Sequence, residues 1–434
     1  MYEFKYPNIA NSSAKEIKDS ILFLTTSLQN RVNNASGRIS EFEAEILRKN
    51  INYVRNNFNV AINMREQKEN PIDYKVINKM ISDSKKMDLP LHIYIMGNTV
   101  DGKTKDSVPM LFSQDAIDNL IDLNNYLLDN KCDGIKFLED PSYPEYAWTI
   151  QEVMRANSEI DGLVDYIKEQ KFTQFETVAF IHQYIASLYQ YQEDKTNPSI
   201  SRSIVGVLNS NKIVCVGYAY LTKAIIDKLD MPGLSCSTFI SRLSPKDKSK
   251  KKDIVPMTGI EMFDDHSLHM QNLIKINDPK YKVQGAYISD VCGDSKTKIT
   301  PSGKGFSNMM FPVEDLLHYK YYDFDQTDPK VDQMFKTLGV KPKLDPYMNP
   351  IIAENINNSK PIDFNTYKSC FINLFKKMNP QENDNSIKDK VENLFIISQL
   401  YAYELFDDNA IGSISQKART SFIEDLKSVG IQME

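Results

Sequence analysis

Residues 212–233 read KIVCVGYAYLTKAIIDKLDMPG, and this stretch decides the fold prediction. Its apolar residues recur at helical spacing, and Pro232 and Gly233 end the pattern. The stretch therefore predicts a helix that begins at Cys215. Unpaired N–H groups and the positive end of the helix dipole favour a thiolate at such a position. A small, inert cysteine buried at a helix start shows the same local pattern, so this alternative stays open.

Three strand-like segments follow this helix. They read LSCSTFIS (234–241), HMQNLIKI (269–276) and KVQGAYISD (282–290). NDPKY, between the last two, is typical of a hairpin connection. His269 opens the second segment and Asp290 ends the third, and adjacent antiparallel strands place such ends side by side. With Cys215 they would form a nucleophile, a base and an orienting acid.

These blocks resemble the transglutaminase-like superfamily, whose fold is papain-like. The family's helix opens with Cys-x-Gly-Tyr-Ala, a strand then begins His-x-x-Asn, and the next strand ends in Asp, often as Asp-x-x-x-Asp. This sequence supplies CVGYA from Cys215, HMQN from His269 and DVCGD from Asp290. The resemblance covers residues 170–300. It implies an α+β fold in which the helix carrying the cysteine packs on an antiparallel sheet, with Cys215, His269 and Asp290 as the catalytic triad.

Two positions depart from the family pattern. Gln271 stands where an aromatic residue is usual, and Cys292-Gly293 stands where a Thr-Trp pair is common. The resemblance also implies an oxyanion hole built from the Cys215 backbone N–H and one side-chain donor. The candidate donors are Asn209 first, then Tyr189 and Tyr191.

Other histidines offer competing interpretations. His266 is a rival base, but Asn272 follows His269 at the family's spacing and favours His269. His266, His269, Asp290 and Cys292 also suggest a zinc cluster, although H-x-x-H beside a strand does not match helical ligand geometry. We therefore expect no metal and no cofactor. Of two further histidines, His182 on the buried face of a helix is more typical of a satisfied core residue, and His92 in a strand is more typical of a structural or an exposed one.

The regions on both sides of the core have helical patterns. Residues 1–169 predict a mostly helical N-terminal region that opens with a helical hairpin, and residues 326–434 predict a helical C-terminal region. The catalytic core is expected over residues 170–325. Its first helix is marked by Thr173 and Glu176, which form an S/T-x-x-E capping box. The flanking regions could cover the cleft, select the substrate or bind a partner.

Composition limits the class of protein. The chain has 434 residues and a formal net charge of −6, which argues against general affinity for nucleic acid. Its five cysteines form no CxxC pair, so neither a disulfide framework nor a cysteine zinc cluster is indicated. No apolar run is long enough for a membrane helix, and the N-terminus lacks a signal-peptide pattern. We expect a cytoplasmic protein by default, with leaderless secretion as an alternative.

Three functions fit these patterns. The first is a cysteine-nucleophile acyl-transfer enzyme acting on protein or peptide amides through a thioester, foremost a peptidase-type hydrolase. The second is a protein-glutamine transglutaminase or deamidase that uses the same triad. The third is a non-catalytic transglutaminase-like binding or scaffold protein. The expected partner is a protein or peptide substrate, and the patterns do not indicate an oligomeric state.

Overall fold

The structure is a computed structural model. It describes residues 11–34, 41–63, 72–96, 111–138, 147–194, 197–242, 255–257, 260–262, 268–295, 306, 308–313, 355 and 358–405. Helices and open sheets together give the mixed α+β class that the sequence predicts. Within these ranges, every helix is too short or too polar to cross a lipid bilayer.

The first part of the chain alternates helices with short strands. Its elements are α1 (Ala14–Asn34), α2 (Glu41–Asn56), β1 (Phe58–Asn63), α3 (Tyr74–Met87), β2 (Leu91–Met96), α4 (Gln114–Asp129), β3 (Lys136–Phe137), β4 (Trp148–Thr149) and α5 (Ile150–Glu169). The expected helical hairpin corresponds to α1 and α2, which pack on each other.

The remainder of the chain carries the longer antiparallel strands. Its elements are α6 (Gln174–Leu188), β5 (Gln190–Tyr191), α7 (Pro198–Arg202), α8 (Ile204–Ser210), β6 (Lys212–Ile213), α9 (Cys215–Leu229), β7 (Ser235–Arg242), β8 (Val255–Met257), β9 (Ile260–Met262), β10 (Leu268–Asp278), β11 (Val283–Ser289), α10 (Val291–Ser295), β12 (Phe311–Pro312), α11 (Phe364–Met378) and α12 (Asp384–Leu405).

The chain divides into two compact units. One comprises Met1–Ile160 and Asp194–Ser210, and the other comprises Asp161–Glu193 and Asn211–Glu434. The first boundary falls within α5, shortly before the predicted start of the core at residue 170. The described C-terminal helices α11 and α12 belong to the same unit as the core strands. The division into three regions therefore stays a prediction.

The first unit contains a four-stranded sheet in the order β1-β2-β3-β4. Strands β1, β2 and β3 are parallel, and α3 and α4 provide the crossovers that parallel neighbours require. The sequence pattern predicts β2 within a mostly helical region, but it does not predict β1. The partner of Val60 is Ile93, far along the chain, so no hairpin signal marks this pairing.

The second unit contains an antiparallel sheet in the order β12-β11-β10-β7, and α9 packs against β7 and β10. The three strands predicted after the Cys215 helix are thus present as β7, β10 and β11. Helix α6 begins with the predicted capping box, because Thr173 and Glu176 bond reciprocally to each other's backbone. Helices α11 and α12 add an aromatic cluster, in which Phe306 contacts Phe371 and Phe395.

Candidate active site

Cys215 is the first residue of α9 and is partly exposed. The residue before it, Val214, is extended and has an aliphatic side chain, which cannot cap the helix. The N–H groups of the first turn are therefore not satisfied by a capping side chain, and they lie beside the thiol. This arrangement favours negative charge at the start of α9.

His269 and Asp290 meet at the ends of neighbouring strands. Strand β10 pairs antiparallel with β11 up to Asn272 and Ser289, so His269 lies just before the paired stretch and Asp290 just after it. His269 Nε2 is 2.7 Å from Asp290 Oδ2. Their side chains are only 12% and 11% exposed, which excludes most water from this hydrogen bond.

The imidazole also contacts the thiol. Cys215 and His269 share a side-chain hydrogen bond. Because Nε2 faces Asp290, Nδ1 is the ring nitrogen left for the sulfur. The structure thus brings the three predicted residues into the order thiol, imidazole, carboxylate.

The surroundings of Cys215 change its acidity in two directions. Burial alone raises the pKa of the thiol. The hydrogen bond and positive charge of His269, together with the backbone N–H of Met270, lower this pKa by more than burial raises it. The pKa of Cys215 therefore lies below its usual value. A lower pKa increases the thiolate fraction near neutral pH, and the thiolate is the nucleophilic form.

The imidazole is shifted in the opposite direction. Burial alone lowers the pKa of His269, but the charge and hydrogen bond of Asp290, together with Cys215, raise it to about 10. Burial alone would raise the pKa of the Asp290 carboxyl, but His269 lowers it more, with help from Gly293 and Gln271. Because the pKa of Cys215 is lowered and that of His269 is raised, the expected state of the pair is a thiolate beside an imidazolium.

Asp290 is held by Gln271 and Gly293, two residues at positions that depart from the family pattern. Gln271 Nε2 donates to Asp290 Oδ2 at 3.2 Å, and the Gly293 N–H donates to Oδ1 at 3.1 Å. A Cβ at position 293 would lie 2.9 Å from Asn308 Nδ2 and 3.2 Å from Asp290 Oδ2. Because Gly293 has no side chain, its backbone can approach Asn308 and the Asp290 carboxylate closely. In the sequence, this glycine lies within the DVCGD block.

The predicted oxyanion donor Asn209 has other partners. Its Nδ2 donates to the Val205 carbonyl at 2.7 Å and to the Glu152 carbonyl at 3.3 Å. An amide nitrogen carries two hydrogens, so both donors of Asn209 are used in this arrangement. Of the other two candidates, Tyr189 is buried, whereas Tyr191 is 45% exposed. Strand β5 pairs Tyr191 with Ile213, two residues before the nucleophile.

Three of the four residues that suggest a zinc cluster lie close together in the structure. His269, Asp290 and Cys292 place one ligand atom each within 4.8 Å of one another. His266 lies outside the described residues, both as a rival base and as a fourth ligand. Nitrogen, oxygen and sulfur are all zinc donors, but Asp290 already accepts hydrogen bonds from three residues here. The expectation that no metal binds stays a prediction.

The two structural histidines are both buried. His182 is 1% exposed, and its two ring nitrogens contact Ser289 and Asp294. His92 is 6% exposed, and its Nε2 contacts Asn57 Oδ1 at 2.9 Å. The interpretation of His182 as a satisfied core histidine is therefore confirmed.

Comparison with protein-family models and with curated proteins finds no match to this sequence. The assignment of a function consequently depends on the residues and on their geometry.

Proposed function

We propose that this protein is a cysteine-nucleophile acyl-transfer enzyme with a papain-like, transglutaminase-like core, and that it hydrolyses amide bonds of proteins or peptides. The observation that carries the proposal is the continuous contact from Cys215 through His269 to Asp290. Each member is placed by a different element, namely the start of α9, the start of β10 and the end of β11.

The reaction follows from the atoms in contact. The Cys215 thiolate attacks the carbonyl carbon of the amide, and a sulfur–carbon bond forms. The C–N bond then breaks, and the His269 imidazolium gives its proton to the departing nitrogen, which leaves a thioester. His269 next takes a proton from water as the water oxygen bonds to the carbonyl carbon. The sulfur–carbon bond then breaks. The carboxylic acid leaves, and the thiolate–imidazolium pair of Cys215 and His269 is regenerated.

Two further groups support these steps. Asp290 accepts the Nε2 hydrogen bond, which fixes the ring so that Nδ1 faces the sulfur and stabilises the imidazolium. The Cys215 backbone N–H, at a helix start without a side-chain cap, is suited to bind the developing oxyanion. Water as the acceptor gives hydrolysis or deamidation, whereas a lysine amine on the same thioester gives cross-linking.

The test is the pH dependence of Cys215 alkylation by iodoacetamide, read by peptide mass spectrometry in wild type, His269→Ala and Asp290→Asn. Cys132 is the matched internal control, because it is also partly exposed but burial raises its pKa. We expect rapid labelling of Cys215 well below pH 8, with both substitutions moving the midpoint toward the value of about 8.5 typical of a free thiol. If Cys215 follows Cys132 in wild type, the enzymatic proposal fails and the scaffold interpretation leads.

An activated Cys215 would justify a substrate screen that separates the chemical outcomes. Peptide cleavage indicates a peptidase, conversion of glutamine to glutamate indicates a deamidase, and attachment of an amine probe indicates a transglutaminase. Cys215→Ala is the control in each assay. Turnover that survives this substitution would contradict the proposed nucleophile.

A further inference from the structure

A second histidine–aspartate pair lies behind the triad. His182 Nε2 is 2.8 Å from Asp294 Oδ2, and the two side chains are 1% and 0% exposed. Helix α6 supplies the histidine and α10 supplies the aspartate. Burying such a pair costs free energy unless every polar atom finds a partner. The partners of Asp294 and His182 lead directly to the residue that orients His269.

Asn308 connects this pair to Asp290. The Asn308 N–H donates to Asp294 Oδ2 at 2.9 Å, and its Nδ2 donates to Oδ1 at 3.0 Å. The carbonyl of Asn308 in turn accepts the Asp290 N–H at 2.8 Å. Asp294 therefore fixes Asn308, and Asn308 fixes the backbone of Asp290 on one side.

The other end of the pair reaches the preceding residue. His182 Nδ1 is 3.2 Å from Ser289 Oγ, and Ser289 ends β11 immediately before Asp290. The contacts thus form a closed ring that runs from Ser289 through His182, Asp294 and Asn308 to Asp290. The peptide that carries the triad carboxylate is held from both sides by buried hydrogen bonds.

We infer that His182 and Asp294 are positioning residues that set the orientation of Asp290 and, through it, the proton affinity of His269 and Cys215. This inference rests on the proposed function. The contacts of these side chains run to Ser289, to Asn308 and to each other, so loss of the pair should change reactivity by displacing Asp290. A displaced carboxylate stabilises the imidazolium less well. The Cys215 thiol then loses its proton less readily, as a free cysteine thiol does.

The test compares Asp294→Asn with wild type. Asparagine keeps the size of the side chain but removes its charge and one acceptor. We expect the midpoint of Cys215 alkylation to rise by about one pH unit, so the labelling rate near pH 6 falls about tenfold. Nuclear magnetic resonance of the His269 ring should show a matching fall in its pKa. If Asp294→Asn does not fold, Ser289→Ala removes one hydrogen bond of the ring and should shift both readouts in the same direction.

Glu176→Gln provides the matched control. Glu176, like Asp294, is a fully buried acid, and it lies on α6, the helix of His182. Its partners are Lys280, Lys377 and Tyr281 and not residues beside Asp290. It should destabilise the protein without moving either readout. Equal shifts in both variants would indicate a general effect of destabilisation and overturn the inference.

The failure of the inference is distinguishable from the failure of the proposed function. An activated Cys215 in wild type that Asp294→Asn leaves unchanged overturns the positioning role and keeps the enzyme. An ordinary Cys215 in wild type overturns both.

Discussion

The amide of Asn272 donates to the carbonyl of Ala219 at 2.9 Å, and this bond joins the strand of the base to the helix of the nucleophile. Ala219 lies one turn after Cys215, and Asn272 lies three residues after His269. The same amide nitrogen is 3.2 Å from Cys236 Sγ on β7. One buried side chain therefore fixes the helix–strand spacing on which the contact between thiol and imidazole depends.

Replacing Asn272 by Ala should destabilise the protein. The substitution removes hydrogen bonds to two buried acceptors and leaves a cavity, which together cost about 1–3 kcal/mol. Urea unfolding measures this loss, and Cys215 labelling should slow in the same variant. The exposed helical residue Asn119 provides a control, because Asn119→Ala should change the free energy of unfolding by no more than about 0.5 kcal/mol. Equal effects at the two positions would contradict the role given to Asn272.

Gly293→Ala should disturb the Asp290 carboxylate directly. The new methyl group would lie 2.9 Å from Asn308 Nδ2 and 3.2 Å from Asp290 Oδ2, so at least one of these groups must move. We expect slower Cys215 alkylation near pH 6 and a lower melting temperature. Gly162→Ala is the matched control, because nothing lies within 4 Å of its added methyl group. Within α5 it should stabilise the protein by about 0.5–1 kcal/mol. Normal labelling of Cys215 in Gly293→Ala would argue against this steric account.

Glu176 should make stability depend on acid. Burial alone would raise the pKa of this carboxyl, but hydrogen bonds from Lys280, Lys377, the Thr173 backbone and Tyr281 lower it to about 2. Because the folded-state value lies below the unfolded one, the stabilisation is complete above about pH 4.5 and is lost as pH falls toward 2. Glu176→Gln should therefore cost about 3 kcal/mol at pH 7 and much less near pH 3. Unfolding of both proteins at the two pH values measures this, and a constant difference would contradict the assignment.

Chelation should leave the reactivity of Cys215 unchanged. His269, Asp290 and Cys292 are close enough to share a metal ion, but His269 Nε2 and Asp290 Oδ2 already form a hydrogen bond with each other. We expect identical alkylation profiles before and after treatment with EDTA, and also in Cys292→Ala. Zinc that copurifies at one ion per chain, and is lost in Cys292→Ala, would instead favour the metal alternative.

Local patterns predicted the second unit well. Thr173 and Glu176 marked the start of α6, and alternation marked β10 and β11, because hairpins and capping boxes depend on residues close in sequence. The same alternation placed His269 and Asp290 at adjacent strand ends, where the structure has them.

Long-range contacts were the part that the sequence could not supply. Parallel pairing of Val60 with Ile93 leaves no turn signal, so the sequence does not predict β1. Asn308 lies well beyond the DVCGD block, and no spacing rule links its amide to Asp294. The distance of Asn209 from Cys215 along the chain suggests an oxyanion donor, but its amide donates to the carbonyls of Val205 and Glu152.

The contact between Glu176 and Lys377 also orders events during protein synthesis. Lys377 is made 201 residues after Glu176, an interval of roughly 10–40 s at typical translation rates. Until then the buried carboxylate of Glu176 has only one of its two lysine partners, Lys280. The stabilisation that Glu176 contributes should therefore be complete only after α11 has left the ribosome, whereas the expected reactivity of Cys215 does not depend on this contact.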